Sequence, residues 1–135
     1  MQPLPRNYRR RFLGVVICLS PVAVVIASIL CGTVRGTALT AGLAFVLFAM
    51  ALAILNFHLS FTRPILYRWT HGSMAGYRFV SGIPLVGTFF VLVGVLVWFG
   101  DVLTSSTGLA ALLVDTGSPL WLLRSTWNDS TFWDA

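Results

Sequence analysis

The stretch NFHLSFTRPILYRWTHGSMAGYRFVSGIPLVG, Asn56 to Gly87, is the only long polar, basic and aromatic segment between apolar runs. Three Arg, both His, two Tyr, one Trp and two Pro fall inside it. Tyr and Trp favour the headgroup level of a bilayer, and Arg reaches toward phosphate while its stem lies on apolar surface. The flanking chain is built to hold such a segment at a membrane. Hydrophobic residues make up 57% of the 135 and charged residues only 10%, against about 25% charged in a soluble domain. The length allows one domain.

On the N-terminal side, Phe12 to Val34 carries no charge. It exceeds the roughly 20 apolar residues a spanning helix needs, and a secretory signal core is shorter and ends in a small-residue cleavage site. The reading is a retained span, with Pro21 kinking it and Ser20 placed to satisfy the freed backbone group. Arg35-Gly36-Thr37 is a very short turn, so the run from Ala38 returns antiparallel. Gly42, Ala49, Ala53 and Asn56 share one face of that second helix, where small residues admit a neighbour and Asn56 faces the bundle as an interhelical partner or cap. Pro64 is expected to end or bend it near residue 59, because proline disfavours helix in the residue before it. Gly72-Ser73 and Ala75-Gly76 read as turns. Ser81 is a candidate cap for a third span over 84–100, in which Gly87, Gly94 and Trp98 share a face.

The C-terminal part differs. Asp101 to Ala135 holds all four acids and one Arg. A central Asp costs about 2.5–3.5 kcal/mol on insertion, while each Leu returns about 0.3–0.6. The leucines of 102–123 offset Asp115, and the Pro, Gly and hydroxyls then weigh against insertion. The segment is left open between short helices on the membrane surface and a fourth, broken helix shielded by the others, with the balance toward the surface. The fold class is therefore an all-α membrane protein: spans about 12–34, 38–59 and 84–100, plus a C-terminal membrane-associated or fourth, broken helical segment. The arginines at 6 and 9–11 and those at 63, 68 and 78 put the N-terminus and the central segment on the cytoplasmic side.

No catalytic set assembles. Asp115-Thr116-Gly117-Ser118 resembles the active-site loop of aspartic proteases, but those enzymes need two such loops in a β fold; turn chemistry between short helices is the better reading. His58 and His71 lack the spacing of a metal site. Cys18 and Cys31, 13 residues apart on one helix, stand roughly 20 Å apart and cannot pair. The expectation is no enzyme, no cofactor, no metal and no nucleic acid. Arg63, Arg68, Trp69, Tyr77 and Arg78 are candidate contacts to a partner or to anionic lipid. Gly42, Asn56, Gly87, Gly94 and Asp115 are candidate packing or buried polar positions, Asp115 also being the one candidate for an ion or proton path.

Asn56, Arg63-Pro64, Tyr67, Tyr77-Arg78 and the run Val80-Ser81-Gly82-Ile83-Pro84-Leu85-Val86-Gly87, with Asp-x-Gly downstream before an aromatic, resemble small multi-pass inner-membrane proteins of proteobacteria. A number of those are thought to be immunity proteins paired with secreted toxins. The resemblance implies protective binding of a cognate toxin in the inner membrane; it transfers no individual residue. The other reading is an accessory subunit of a transporter or respiratory complex.

Overall fold

The computed structural model describes residues 6–32, 41–80 and 82–134, and the regular elements among these are all helices, with no strand. The expected turn at Arg35-Gly36-Thr37 and the expected Ser81 cap lie outside the described residues. Helix α1, Tyr8–Leu30, starts at Asn7, whose side chain accepts from the Arg10 amide. Pro21 inside it has no N–H for the Ile17 carbonyl. The Ser20 hydroxyl donates to that carbonyl instead, at 2.8 Å.

The second column is longer than expected. Helix α2, Ala41–Phe57, passes into a π-helical turn, His58–Thr62, and on into α3, Arg63–His71. The whole forms one 31-residue helix, so Pro64 does not end it. In a regular α-helix the Pro64 ring would collide with the carbonyl four residues back. The wider turn removes that conflict: the Arg63 amide reaches back to His58 O, one residue further than in an α-helix. The helix stops at Gly72, left-handed at φ 69°, whose amide bonds Arg68 O.

Helix α4, Val86–Val97, begins two residues later than expected, after Leu85. Helix α5, Val102–Val114, is capped by the Asp101 carboxylate on the Thr104 amide. Helix α6, Pro119–Thr126, follows a break, and the short α7, Ser130–Trp133, is capped by Asp129. Two helices, Tyr8–Leu30 and Ala41–His71, are long and apolar enough to cross a membrane; α4 is apolar but shorter.

The columns run antiparallel. Gly42 at the start of α2 meets Gly94 near the end of α4, and Ser28 late in α1 meets Ser105 early in α5. A Cβ at Gly94 would stand 2.6 Å from Gly42 O, and one at Gly42 2.8 Å from Gly94 O. The two glycines therefore set how closely the backbones approach. Over 102–126 the chain forms a broken helix that lies within the bundle. Helix α5 packs against α1, α2 and α4, and α6 continues past the break along α1. The insertion balance counted the polar residues of this segment as facing lipid, whereas they point into the bundle. Thr104, Ser105, Asp115 and Ser118 are buried in the bundle with partners.

The interior is built from small and medium residues around Val25, Val46, Ala49, Val91, Val95, Ala111 and Leu112. Large apolar side chains lie outside: Phe12, Ile17, Phe48, Ile54, Phe89, Leu96 and Leu113 are exposed. Polar residues inside and bulky apolar ones outside are the arrangement lipid requires and water penalises.

Candidate functional site

Two features stand out, and one is the foundation of the other. The first is a buried polar node. Asn56 is 0% exposed and Asp115 is 1% exposed. Asn56 Nδ2 donates to Asp115 Oδ1 at 2.7 Å and to Ile83 O at 3.0 Å, and its Oδ1 accepts from Ile83 N at 2.8 Å. Asp115 Oδ1 also accepts from Gly117 N at 2.9 Å, and Leu85 N donates to Gly117 O at 3.0 Å. One side chain on a continuous helix thus ties down both the entry to α4 and the break between α5 and α6.

Three glycines make room for it. A Cβ at Gly82 would collide with Asn56 Oδ1, one at Gly117 would stand 2.8 Å from Asn56 Nδ2, and one at Gly87 2.6 Å from Asp115 Oδ2. Leu85, at φ 65°, is held in a left-handed conformation that costs a non-glycine residue of order 1 kcal/mol or more. The Leu85–Gly117 bond and the Asn56 clamp on Ile83 hold it there. Asp115 Oδ2 and Thr88 Oγ1 are buried without a hydrogen-bond partner among the described residues.

The second feature is an arm. Helix α3 and the non-helical return over 72–80 project from the node, which holds the chain at Ile83. Tyr67 is the hinge of their packing. It stacks on His71 (4.1 Å between ring centres), meets Tyr77 at 5.0 Å, and donates its hydroxyl to Ala75 O at 3.2 Å. Tyr77 in turn meets Phe79 edge-on at 4.9 Å. Arg63, Leu66, Tyr67 and Thr70 recur at helical spacing and line, with Gly76, Tyr77 and Arg78, a cleft of about 400 Å³. The opposite face carries Ile65, Arg68 and Trp69, and Trp69 is 81% exposed.

No family model, no curated protein and no solved structure matches this chain.

The ten candidate residues separate into four sets. Asn56, Gly87 and Asp115 come together in the node, and Gly42 and Gly94 form the α2–α4 contact. Arg63, Tyr77 and Arg78 converge on the cleft, while Arg68 and Trp69 face away from it. The reading of the residues missed Gly82, Gly117 and the Ile83 backbone, although Ser-Gly-Ile-Pro and Asp-Thr-Gly-Ser-Pro both mark loops. It also missed a clamp between the chain ends. Arg11 donates through Nε and Nη2 to Asp134 (2.8 and 2.7 Å) and through Nη1 to Trp127 O, while Asn7 N caps Asp134 Oδ1. The Arg11 guanidinium holds the Asp134 carboxyl down at about 2. Trp133 fills the space over Gly14. The tail is thus fixed at the N-terminal end of α1. At the other end of the bundle, Ser28 Oγ bonds Ser105 Oγ and accepts from Gly100 N, each at 2.8 Å.

Chemically the node offers a carboxyl held by amides. Among the described residues no three His, Cys, Asp or Glu side chains gather, and the recorded contacts of His71 are with Thr70 and Tyr67 in the arm. The arm offers cations and aromatic rings, which suit recognition.

Proposed function

We propose that this is a small polytopic inner-membrane protein that acts by binding, with the outer face of the arm meeting a protein partner. The observation that carries the reading is the arm itself: an aromatic-braced projection, anchored by the buried node, that leaves Trp69 81% exposed on α3 next to Arg68 and Phe79 79% exposed on the return. Arg and Trp are enriched where binding energy concentrates. The arginines at 6, 9–11, 63, 68, 78 and 124 all belong to the end of the bundle that holds the arm and the tail. That distribution supports a cytoplasmic side for this end and for both termini. The partner is a membrane or membrane-targeted protein. A cognate toxin neutralised by an immunity protein is one form of it, and the subunits of a larger membrane complex are the other.

The test is affinity purification of the tagged chain in mild detergent beside a W69A/F79A/R68Q variant. A stoichiometric partner that is lost with the variant supports the reading. A partner retained at full yield by the variant removes the arm from it.

One observation favours a second reading. Asp115 Oδ2 is buried and without a partner among the described residues, and an acid inside a membrane bundle is a functional device by default. Proton flux into dye-loaded liposomes, present for the wild type and absent for D115N, would establish it. Equal flux for both would remove it.

A further inference from the structure

We propose that the cleft between α3 and its return binds the phosphate of one anionic phospholipid headgroup, with Arg63, Arg78 and the Tyr77 hydroxyl as its ligands. The proposal rests on reading the arm as lying at a membrane surface. The cleft has a volume of about 400 Å³, room for a headgroup phosphate with its glycerol. Two guanidiniums line it and no acid does. The chain's four acids are engaged elsewhere. Asp101 caps α5, Asp115 sits in the node, Asp129 caps α7 and Asp134 is clamped by Arg11. Neither Arg63 nor Arg78 has an ion pair among the described residues.

The remaining polar groups of the cleft can be sorted by what they already bond. Tyr67 donates to Ala75 O, and Thr70 Oγ1 bonds the carbonyls of Leu66 and Tyr67. Both are satisfied and act as wall. The Tyr77 hydroxyl is buried and has no partner among the described residues, which is rare in a finished structure and points to a missing acceptor. A phosphate supplies acceptors for a hydroxyl and for two planar forks at once, and Arg is the residue best shaped for that. Leu66 gives the glycerol an apolar wall. Arg63 lies seven residues, roughly 10 Å, past Asn56 toward the arginine-rich end, where headgroups meet a bundle whose sides face lipid.

The test uses the full chain in nanodiscs of phosphatidylcholine with a minority of phosphatidylglycerol, released into neutral detergent for native mass spectrometry. The wild type is expected to retain one phosphatidylglycerol. Retention should fall at least ~tenfold in R63Q/R78Q, because each arginine near an anionic surface contributes roughly fivefold. Y77F should lower it several-fold with an unchanged circular dichroism spectrum. R68Q removes one positive charge from the opposite face, outside the cleft, and should lower retention by no more than that one surface charge, roughly fivefold or less. A loss in R68Q equal to that in R63Q/R78Q, or full retention by R63Q/R78Q, overturns the site. Saturable binding of inorganic phosphate to the delipidated wild type, without retained phosphatidylglycerol, overturns the lipid source and assigns the cleft to a soluble phosphate. Partner capture is read on W69A/F79A/R68Q, so failure of the partner reading and failure of this site are separate results.

Discussion

Asn56 Nδ2 stands 2.7 Å from Asp115 Oδ1, across 59 residues of chain. This bond joins the continuous column to the broken one at the level where α5 gives way to α6. Asn56→Ala would leave Asp115 and both backbone groups of Ile83 short of partners inside the bundle. Each such group costs about 1–3 kcal/mol when buried unpaired. Asp115→Ala should cost less than the sum, because Gly117 N can relax outward. The expected result is a loss of about 2–4 kcal/mol for Asn56→Ala in reversible unfolding in detergent, and a double variant less destabilised than the two singles added.

The glycines offer a sharper contrast. Gly94→Ala puts a methyl 2.6 Å from Gly42 O, a backbone atom that cannot swing aside. Gly72→Ala meets nothing within 4 Å but must keep φ 69°. Gly72→Ala should cost about 1 kcal/mol, the strain of a left-handed alanine. Gly94→Ala should separate α2 from α4 and cost about 1–3 kcal/mol, as overpacking does. Thermal melts in one detergent would rank them.

Much of this was legible in the chain and some was not. Gly42, Ala49, Ala53 and Asn56 announced a buried face by spacing alone, because a helix repeats its contacts every three or four residues. Pro64 misled for a local reason: the rule that proline ends a helix assumes an α-turn before it, and His58–Thr62 adopts a π-turn instead. Asp115 misled for a non-local reason. An insertion scale charges each residue as if it met lipid, and it has no knowledge that Asn56 and Gly117 will hold the carboxyl. The Arg11–Asp134 clamp, 123 positions apart, leaves no periodic signal at all.

That clamp makes tail docking depend on pH. The Asp134 carboxyl titrates at about 2 when docked, against about 3.9 in a free chain. A depressed carboxyl pKa adds stability above the free value, and that stability is lost as pH falls through the docked value. The clamp's contribution to docking should therefore be full at pH 5 and above, weaken from about pH 4, and be gone below about pH 2. Fluorescence of the Trp127–Trp133 pair should follow this course, and Asp134→Asn should show the low-pH spectrum at pH 7.

At the far end of the bundle, Ser28→Ala should leave the Gly100 amide and the Ser105 hydroxyl without their shared partner. A loss of about 1–2 kcal/mol is expected, and hydrogen exchange at Gly100 should rise. Ser28→Cys, which keeps a weak acceptor, should recover part of it.

The central claim is that a broken fourth column, locked by Asn56 and Asp115, returns the tail to the side of the arm. Labelling with a membrane-impermeant thiol reagent tests it most directly. Ser73→Cys reports the arm and Asn128→Cys the tail, each in a chain with Cys18 and Cys31 replaced by serine. Both positions should react in inverted inner-membrane vesicles and neither in intact spheroplasts. Reaction of the residue-128 thiol in spheroplasts, with residue 73 protected, would put the tail on the opposite side and contradict the account.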